Sequence, residues 1–81
     1  MKKMYYIVKD NSLEYPHSII WQGLLLSVAS RVYGHYISKL ADINSLKDVD
    51  IEQHIVEVDK NGHIVEDEGG NIVFFDALLW R

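Results

Sequence analysis

The segment from Ser18 to about Leu40 constrains the fold of this chain more than any other feature of its sequence. Its apolar residues recur with the period of an α-helix and cover an arc of roughly 220°, wider than the ~100° stripe of a surface helix. Pro16 disfavours a helical conformation at Tyr15, and Ser18 is a suitable N-cap residue. The sequence therefore predicts one long helix over residues 18–40.

Four shorter segments, residues 4–9, 53–59, 62–67 and 71–76, are rich in aromatic and β-branched side chains, which favour strands. Turn-forming residues separate the last three. The predicted order is β-α-β-β-β, and the predicted fold is α+β: a small antiparallel sheet with a C-terminal three-strand meander, packed by one long helix. Residues 1–81 are too few for more than one domain.

The tetrapeptide HIVE occurs twice, at residues 54–57 and 63–66, on either side of DKNG. A histidine metal site, a stacked repeat and a β-hairpin would each explain the repetition. In a hairpin, His54 and His63 lie about 16 Å apart along the strands, so one zinc ion with bonds of roughly 2.0–2.1 Å cannot bind both. A solenoid needs about three repeats or more, and the helix occupies the chain that would supply them. The sequence predicts a hairpin.

The loop of this hairpin has two possible forms. A two-residue turn at NG would place Glu57 opposite Glu66, and facing like charges are destabilising. A three-residue bulged loop instead places Asp59 at the first position of a type I turn and Gly62 at the fourth, in the left-handed conformation. We expect the bulged loop, whose register has two pairs: Val58 with Ile64, and Glu57 with Val65.

Residue types that carry chemistry are sparse. The chain has no cysteine, which excludes a disulfide framework and a thiolate zinc site. Its four histidines are scattered, with no nearby serine arranged for nucleophilic catalysis, and no phosphate-binding glycine motif is present. We therefore expect no enzymatic activity, no cofactor and no metal. An enzyme that uses His35 or His54 as a base is the last-ranked alternative.

Charge is distributed unevenly along the chain. The net charge is −4, but residues 42–68 carry nine acidic and two basic side chains, which makes this stretch −7. A negative field repels phosphate and anionic lipid, so we expect no direct nucleic-acid binding and no membrane binding. The absence of cysteine and of an export signal predicts a cytoplasmic location.

These features predict a small acidic, non-enzymatic interaction protein that binds a partner with a basic surface and blocks or regulates it. Short, acidic, cysteine-free chains are a common format for inhibitors carried by mobile elements such as phages, an analogy of type only. The predicted contacts combine acidic side chains with two aromatic side chains: Glu57, Asp59, Glu66, Asp67, Glu68, Tyr15 and Trp80.

Small side chains line the remaining arc of the predicted helix. Glycine in an exposed helix costs about 1 kcal/mol relative to alanine, and small side chains let two helix backbones approach closely. We therefore expect a homodimer through this face. An alternative function follows, that of a structural subunit whose long helix self-associates. The predicted interface residues are Gly23, Ser27, Ser30 and Gly34.

Overall fold

The computed structural model describes residues 1–40 and 48–75. Within these residues the elements are β1 (Lys2–Asp10), β2 (Ile19–Gly23), α1 (Leu26–Ser38) and β3 (Val49–Glu57), and the three strands form a sheet in the order β2-β1-β3. The predicted α+β class with an antiparallel sheet and one helix is therefore confirmed. The order of the elements differs from the prediction, because a strand precedes a shorter helix.

The central strand, β1, was predicted over residues 4–9 and extends beyond both ends of that range. Ile7 and Val8 point to opposite faces of the sheet, and both are buried. Aromatic and β-branched side chains suit such a position, because they pack well on a pleated surface. At one end of the β1–β3 pair, Val58 N–H donates to Met1 O at 2.7 Å. At the other end, Asn11 N–H donates to Asp48 O at 2.8 Å, so β3 runs antiparallel to β1.

The prediction of a helix from Ser18 was wrong for its first turns. Residues 19–23 form β2, which pairs antiparallel with β1 and has an irregularity between Val8 and Lys9. Short apolar runs have no periodicity that distinguishes strand from helix, and pairing with β1 decides the conformation here. Ser18 is not the N-cap; it is buried, and its carbonyl oxygen accepts a hydrogen bond from Asp10 N–H.

The helix itself spans Leu26–Ser38, within the predicted range. Leu25 occupies its N-cap position and makes no side-chain capping bond. At the other end, Ser38 Oγ donates to His35 O at 2.7 Å. Ala29 is buried, and α1 contacts β2. The helix is thus 13 residues long and not the 23 of the predicted range.

The chain divides into two compact units, one formed by Met1–Tyr5 with the chain from Gln53 onward and the other by Tyr6–Glu52. In the second unit, the buried carboxylate of Asp10 joins the loop after β1 to the helix. Its Oδ1 accepts bonds from Ser12 N–H and Ser12 Oγ, and its Oδ2 accepts a 2.6 Å bond from Tyr36 Oη. The bonds from Ser12 and then Tyr36 lower the pKa of Asp10, against the effect of burial.

Candidate functional site

Two turns of the same construction dominate the first unit. In the first turn, Asp59 N–H donates to His63 O at 2.9 Å and Gly62 N–H donates to Asp59 O at 3.0 Å. The side chain of Asp59 completes the turn, because its Oδ1 accepts the N–H groups of Asn61 and His63, each at 2.9 Å. Gly62 has a φ of 84°, a left-handed conformation that favours glycine.

The second turn repeats these bonds eight residues later. Asp67 N–H donates to Asn71 O at 2.8 Å, and Gly70 N–H donates to Asp67 O at 3.0 Å. Asp67 Oδ1 accepts the N–H groups of Gly69 and Asn71 at 2.9 and 3.0 Å. Gly70 has a φ of 79°. We call residues 57–71, which contain both turns, the acidic double turn.

The predicted bulged hairpin is confirmed in its register. Val58 faces Ile64 in an antiparallel bridge, and Val65 N–H donates to Glu57 O at 2.9 Å. The two HIVE segments are therefore the arms of a hairpin. No group of three or more potential metal ligands occurs in residues 1–40 and 48–75.

The remainder of the predicted meander differs from the structure. In a meander the last strand would run parallel to β3, but Phe74 faces Val56 in an antiparallel bridge. Ring contacts explain this position, because Phe74 lies 5.7 Å from Tyr5 and 4.9 Å from His54, centroid to centroid. Residues 62–67 and 71–75 form isolated bridges and not full strands.

The acidic side chains of the double turn fall into two groups. Three have partners within the unit: Glu57 forms a 3.0 Å ion pair with the N-terminal amino group, and Asp59 and Asp67 cap their turns. The bond from His63 N–H is the largest effect that lowers the pKa of Asp59, so this side chain stays ionised at neutral pH. Glu66 and Glu68 are exposed.

The two predicted aromatic contacts lie in different parts of the chain. Tyr15 belongs to the second unit and is 79% exposed, in the loop between β1 and β2. Trp80 lies outside the described residues. Phe75, another aromatic residue near the C-terminal end, is half-buried, with the ammonium group of Lys2 4.8 Å from its ring centroid.

The predicted dimer interface does not lie on one helix. Gly23 is the last residue of β2 and pairs with Tyr6, whereas the other three residues lie on α1 and are exposed. The indole of Trp21 covers Gly23, and a Cβ atom added at Gly23 would lie 2.8 Å from that ring. Nothing lies within 4 Å of a Cβ atom added at Gly34. Self-association through Ser27, Ser30 and Gly34 stays a prediction.

Sequence reasoning placed Asp59 in the first turn but missed the second turn and its cap Asp67, which it treated as a contact residue alone. A signal was present, because the segments VDKNGHIV and EDEGGNIV share aspartate, glycine and the Ile-Val pair at a spacing of eight residues. Aspartate that bonds to backbone two residues later is a common feature of turns.

Comparison with known proteins gives no match: no family model, no curated protein and no solved structure is similar to this chain at a significant level. None of the helices in the described part of the chain has the length and apolar character that crossing a membrane requires.

Proposed function

We propose that this chain is a non-enzymatic binding protein whose acidic double turn contacts a basic surface of a partner protein and so blocks or regulates that partner. The observation that carries the proposal is the charge of the double turn. Residues 57–71 hold five acidic side chains and one lysine, a net charge of −4 within fifteen residues. Such a field accelerates encounter with a positive surface and repels a negative one.

Glu66 and Glu68 are the side chains that we expect to contact the partner directly. Both are exposed on the double turn. The ion pair of Glu57 and the capping bonds of Asp59 and Asp67 hold these three residues in the fold, so they contribute charge while they shape the surface. Contact through exposed carboxylates predicts an association that weakens as the salt concentration rises.

Tyr15 is a second, separate contact that we propose in the other unit. Its exposed ring and hydroxyl combine apolar area with a hydrogen-bonding group, which is why tyrosine is enriched among the residues that dominate binding energy at interfaces. Burial of this ring by the partner would supply affinity that charge alone does not.

Charge reversal at the exposed pair tests the proposal. The full-length chain and its Glu66→Lys/Glu68→Lys variant are used as bait in host lysate, and the bound proteins are identified by mass spectrometry. We expect the parent to retain a basic protein that salt elutes and the variant to lose it. Asp67 is kept, because its reversal would also remove the cap of the second turn.

Glu14→Lys is the control for the single reversal Glu68→Lys. Glu14 is exposed and lies in the second unit, so the change in net charge is the same but the double turn is untouched. Retention of the same basic protein by the parent and by Glu66→Lys/Glu68→Lys would refute the proposed contact. Equal losses with Glu14→Lys and Glu68→Lys would show that net charge matters and the double turn does not.

Self-association through α1 is a second candidate function, favoured by the open space at Gly34 on an exposed helix. Gly34→Leu is the appropriate test, whereas a larger residue at Gly23 would collide with Trp21. If α1 forms a dimer, Gly34→Leu should shift the mass in analytical ultracentrifugation toward the monomer. A monomeric parent would end this proposal, and Ser30→Asn gives a smaller change on the same helix for comparison.

A further inference from the structure

The two eight-residue repeats of the first unit, residues 58–65 and 66–73, have the same local structure. Each contains one aspartate-capped turn with a left-handed glycine, followed by Ile-Val. The last residues of the two repeats, Val65 and Val73, are 37% and 38% exposed. The two repeats therefore share the hydrogen bonds of their turns as well as their residues.

The first repeat and the two residues directly after the second repeat pair with the same edge of β3. Ile64 faces Val58, and Val65 N–H donates to Glu57 O. The next two residues of β3 pair with residues much further along the chain. Phe74 faces Val56, and Phe75 N–H donates to Ile55 O at 2.8 Å. The strand that pairs with β3 is thus interrupted after Val65 and resumes at Phe74.

The interruption, residues 66–73, is eight residues long. An even number preserves the alternation of side chains between the two faces of a sheet, whereas an odd number would invert it. If Phe74 and Phe75 keep their places, the residues that precede them without interruption are Ile72 and Val73. These two have the same identities as Ile64 and Val65.

We propose that the two repeats compete for pairing with the same end of β3, so that in a second state Ile72 and Val73 take the positions that Ile64 and Val65 occupy in the structure. In the exchanged register, Ile72 faces Val58 and Val73 N–H donates to Glu57 O, while Phe74 and Phe75 keep their positions. Asn71 O then accepts the bond from Asp59 N–H that His63 O accepts in the structure. At the end of β3 the exchange replaces two backbone hydrogen bonds by two others and keeps an isoleucine against Val58, but it breaks the bridge between Glu66 and Ile72.

The exchanged register lacks both turns, because Asp59 N–H no longer donates to His63 O and Asn71 O no longer accepts the bond from Asp67 N–H. The observed register is therefore the more populated one. A minor state of this kind has a typical population of about 0.1–10%. In that state residues 59–71 form a single loop, so the exchange changes the position of the Glu66 and Glu68 side chains on the surface. The inference does not depend on what the protein binds.

Disulfide trapping tests the exchange, and the absence of native cysteine makes it clean. Val58→Cys is combined with Ile64→Cys for the observed register and with Ile72→Cys for the exchanged one. The pair Val58→Cys with Val73→Cys is the control, because the Cβ atom of residue 73 points to the opposite face in the exchanged register and such pairs do not form a bond. All three are oxidised under native conditions and quantified by mass spectrometry.

We expect the 58–72 disulfide to form several-fold more than the 58–73 control. Gly62→Val should raise it several-fold further relative to the 58–64 disulfide, because valine does not adopt the φ of 84° that the first turn requires. A 58–72 yield equal to that of the control in both backgrounds would overturn the proposal.

Deletion of one repeat gives a second measurement that does not rely on cysteine. Removal of residues 66–73 should leave a cooperatively folded protein in which Phe74 still contacts Tyr5, as read by NMR. Removal of residues 66–72 is the matched control. It makes the side chains after Val65 point to the opposite face of the sheet and should therefore abolish the contact between Phe74 and Tyr5. Loss of folding in both deletions, or equal tolerance of both, would contradict the equivalence of the repeats.

Discussion

The two units of this protein both use aspartate to fix the backbone, but over different distances in the chain. Asp10 is buried, and its carboxylate accepts a bond from Tyr36, 26 residues further on. Asp59 and Asp67 are exposed, and each accepts backbone N–H groups two and four residues further on. A long-range buried bond fixes tertiary structure, whereas the local bonds fix only a turn and leave the charge at the surface. The same side chain is thus a tertiary contact in one unit and a surface feature in the other.

The largest effect that this comparison predicts is that of Asp10→Ala. The substitution removes the acceptor for the hydroxyl groups of Ser12 and Tyr36 in a buried setting, so we expect a loss of about 2–4 kcal/mol in the free energy of unfolding. Urea unfolding followed by circular dichroism measures it. Asp10→Asn retains one acceptor oxygen and should lose less. If Asp10→Ala lost less stability than Asp59→Ala, the distinction between a tertiary and a local aspartate would be contradicted.

The next largest effect is on the pH dependence of stability, to which we expect Asp10 to contribute more than Asp59. The hydrogen bonds from Ser12 and Tyr36 lower the folded pKa of Asp10 below its ordinary value, so its ionised form stabilises the fold above the unfolded pKa. That contribution is lost as the pH falls through the folded pKa. We expect stability to fall below about pH 4 and Asp10→Asn to flatten this dependence. Asp59→Asn should flatten it less, because Asp59 is exposed to solvent screening. Equal flattening of the pH dependence by Asp10→Asn and Asp59→Asn would contradict the distinction between the two aspartates.

The smallest expected changes come from the two turn-capping residues. Asp59→Ala and Asp67→Ala each remove two bonds from backbone N–H groups that water can replace. We expect each to lose less than about half of what Asp10→Ala loses. Thermal unfolding of the two variants beside Asn61→Ala, which changes the turn without removing its cap, measures this loss. Equivalent turns predict similar values, and a large difference would show that the turns are not equivalent.

The hairpin was predictable to its register because its determinants are local. Asp59 and Gly62 specify the turn, and repulsion between Glu57 and Glu66 disfavours the other register. All of this information lies within a dozen residues of the sequence. The two exposed carboxylates of the proposed contact surface were predictable for the same reason.

What the sequence did not predict depends on residues far apart in the chain. Ile19 to Gly23 form a strand because β1 is available to pair with them, and the apolar pattern of the segment fits a helix equally well. Phe74 returns to β3 because Tyr5 and His54 contact its ring. The bond between Asp10 and Tyr36 has no signature in spacing at all. These contacts join segments that are far apart in the sequence, and no periodic pattern of residues indicates which segments will meet.

The proposed function rests on the charge of the acidic double turn, and above all on Glu66 and Glu68, which are exposed and cap neither turn. The most direct measurement is a titration of the captured basic partner with the full-length chain and with Glu66→Lys/Glu68→Lys at increasing ionic strength, with the unfolding of both proteins measured in parallel. We expect equal stability, an affinity of the parent that falls steadily with salt, and much weaker binding by the variant. Parent affinity that does not change with salt, or equal affinity of the two proteins, would contradict the proposed function.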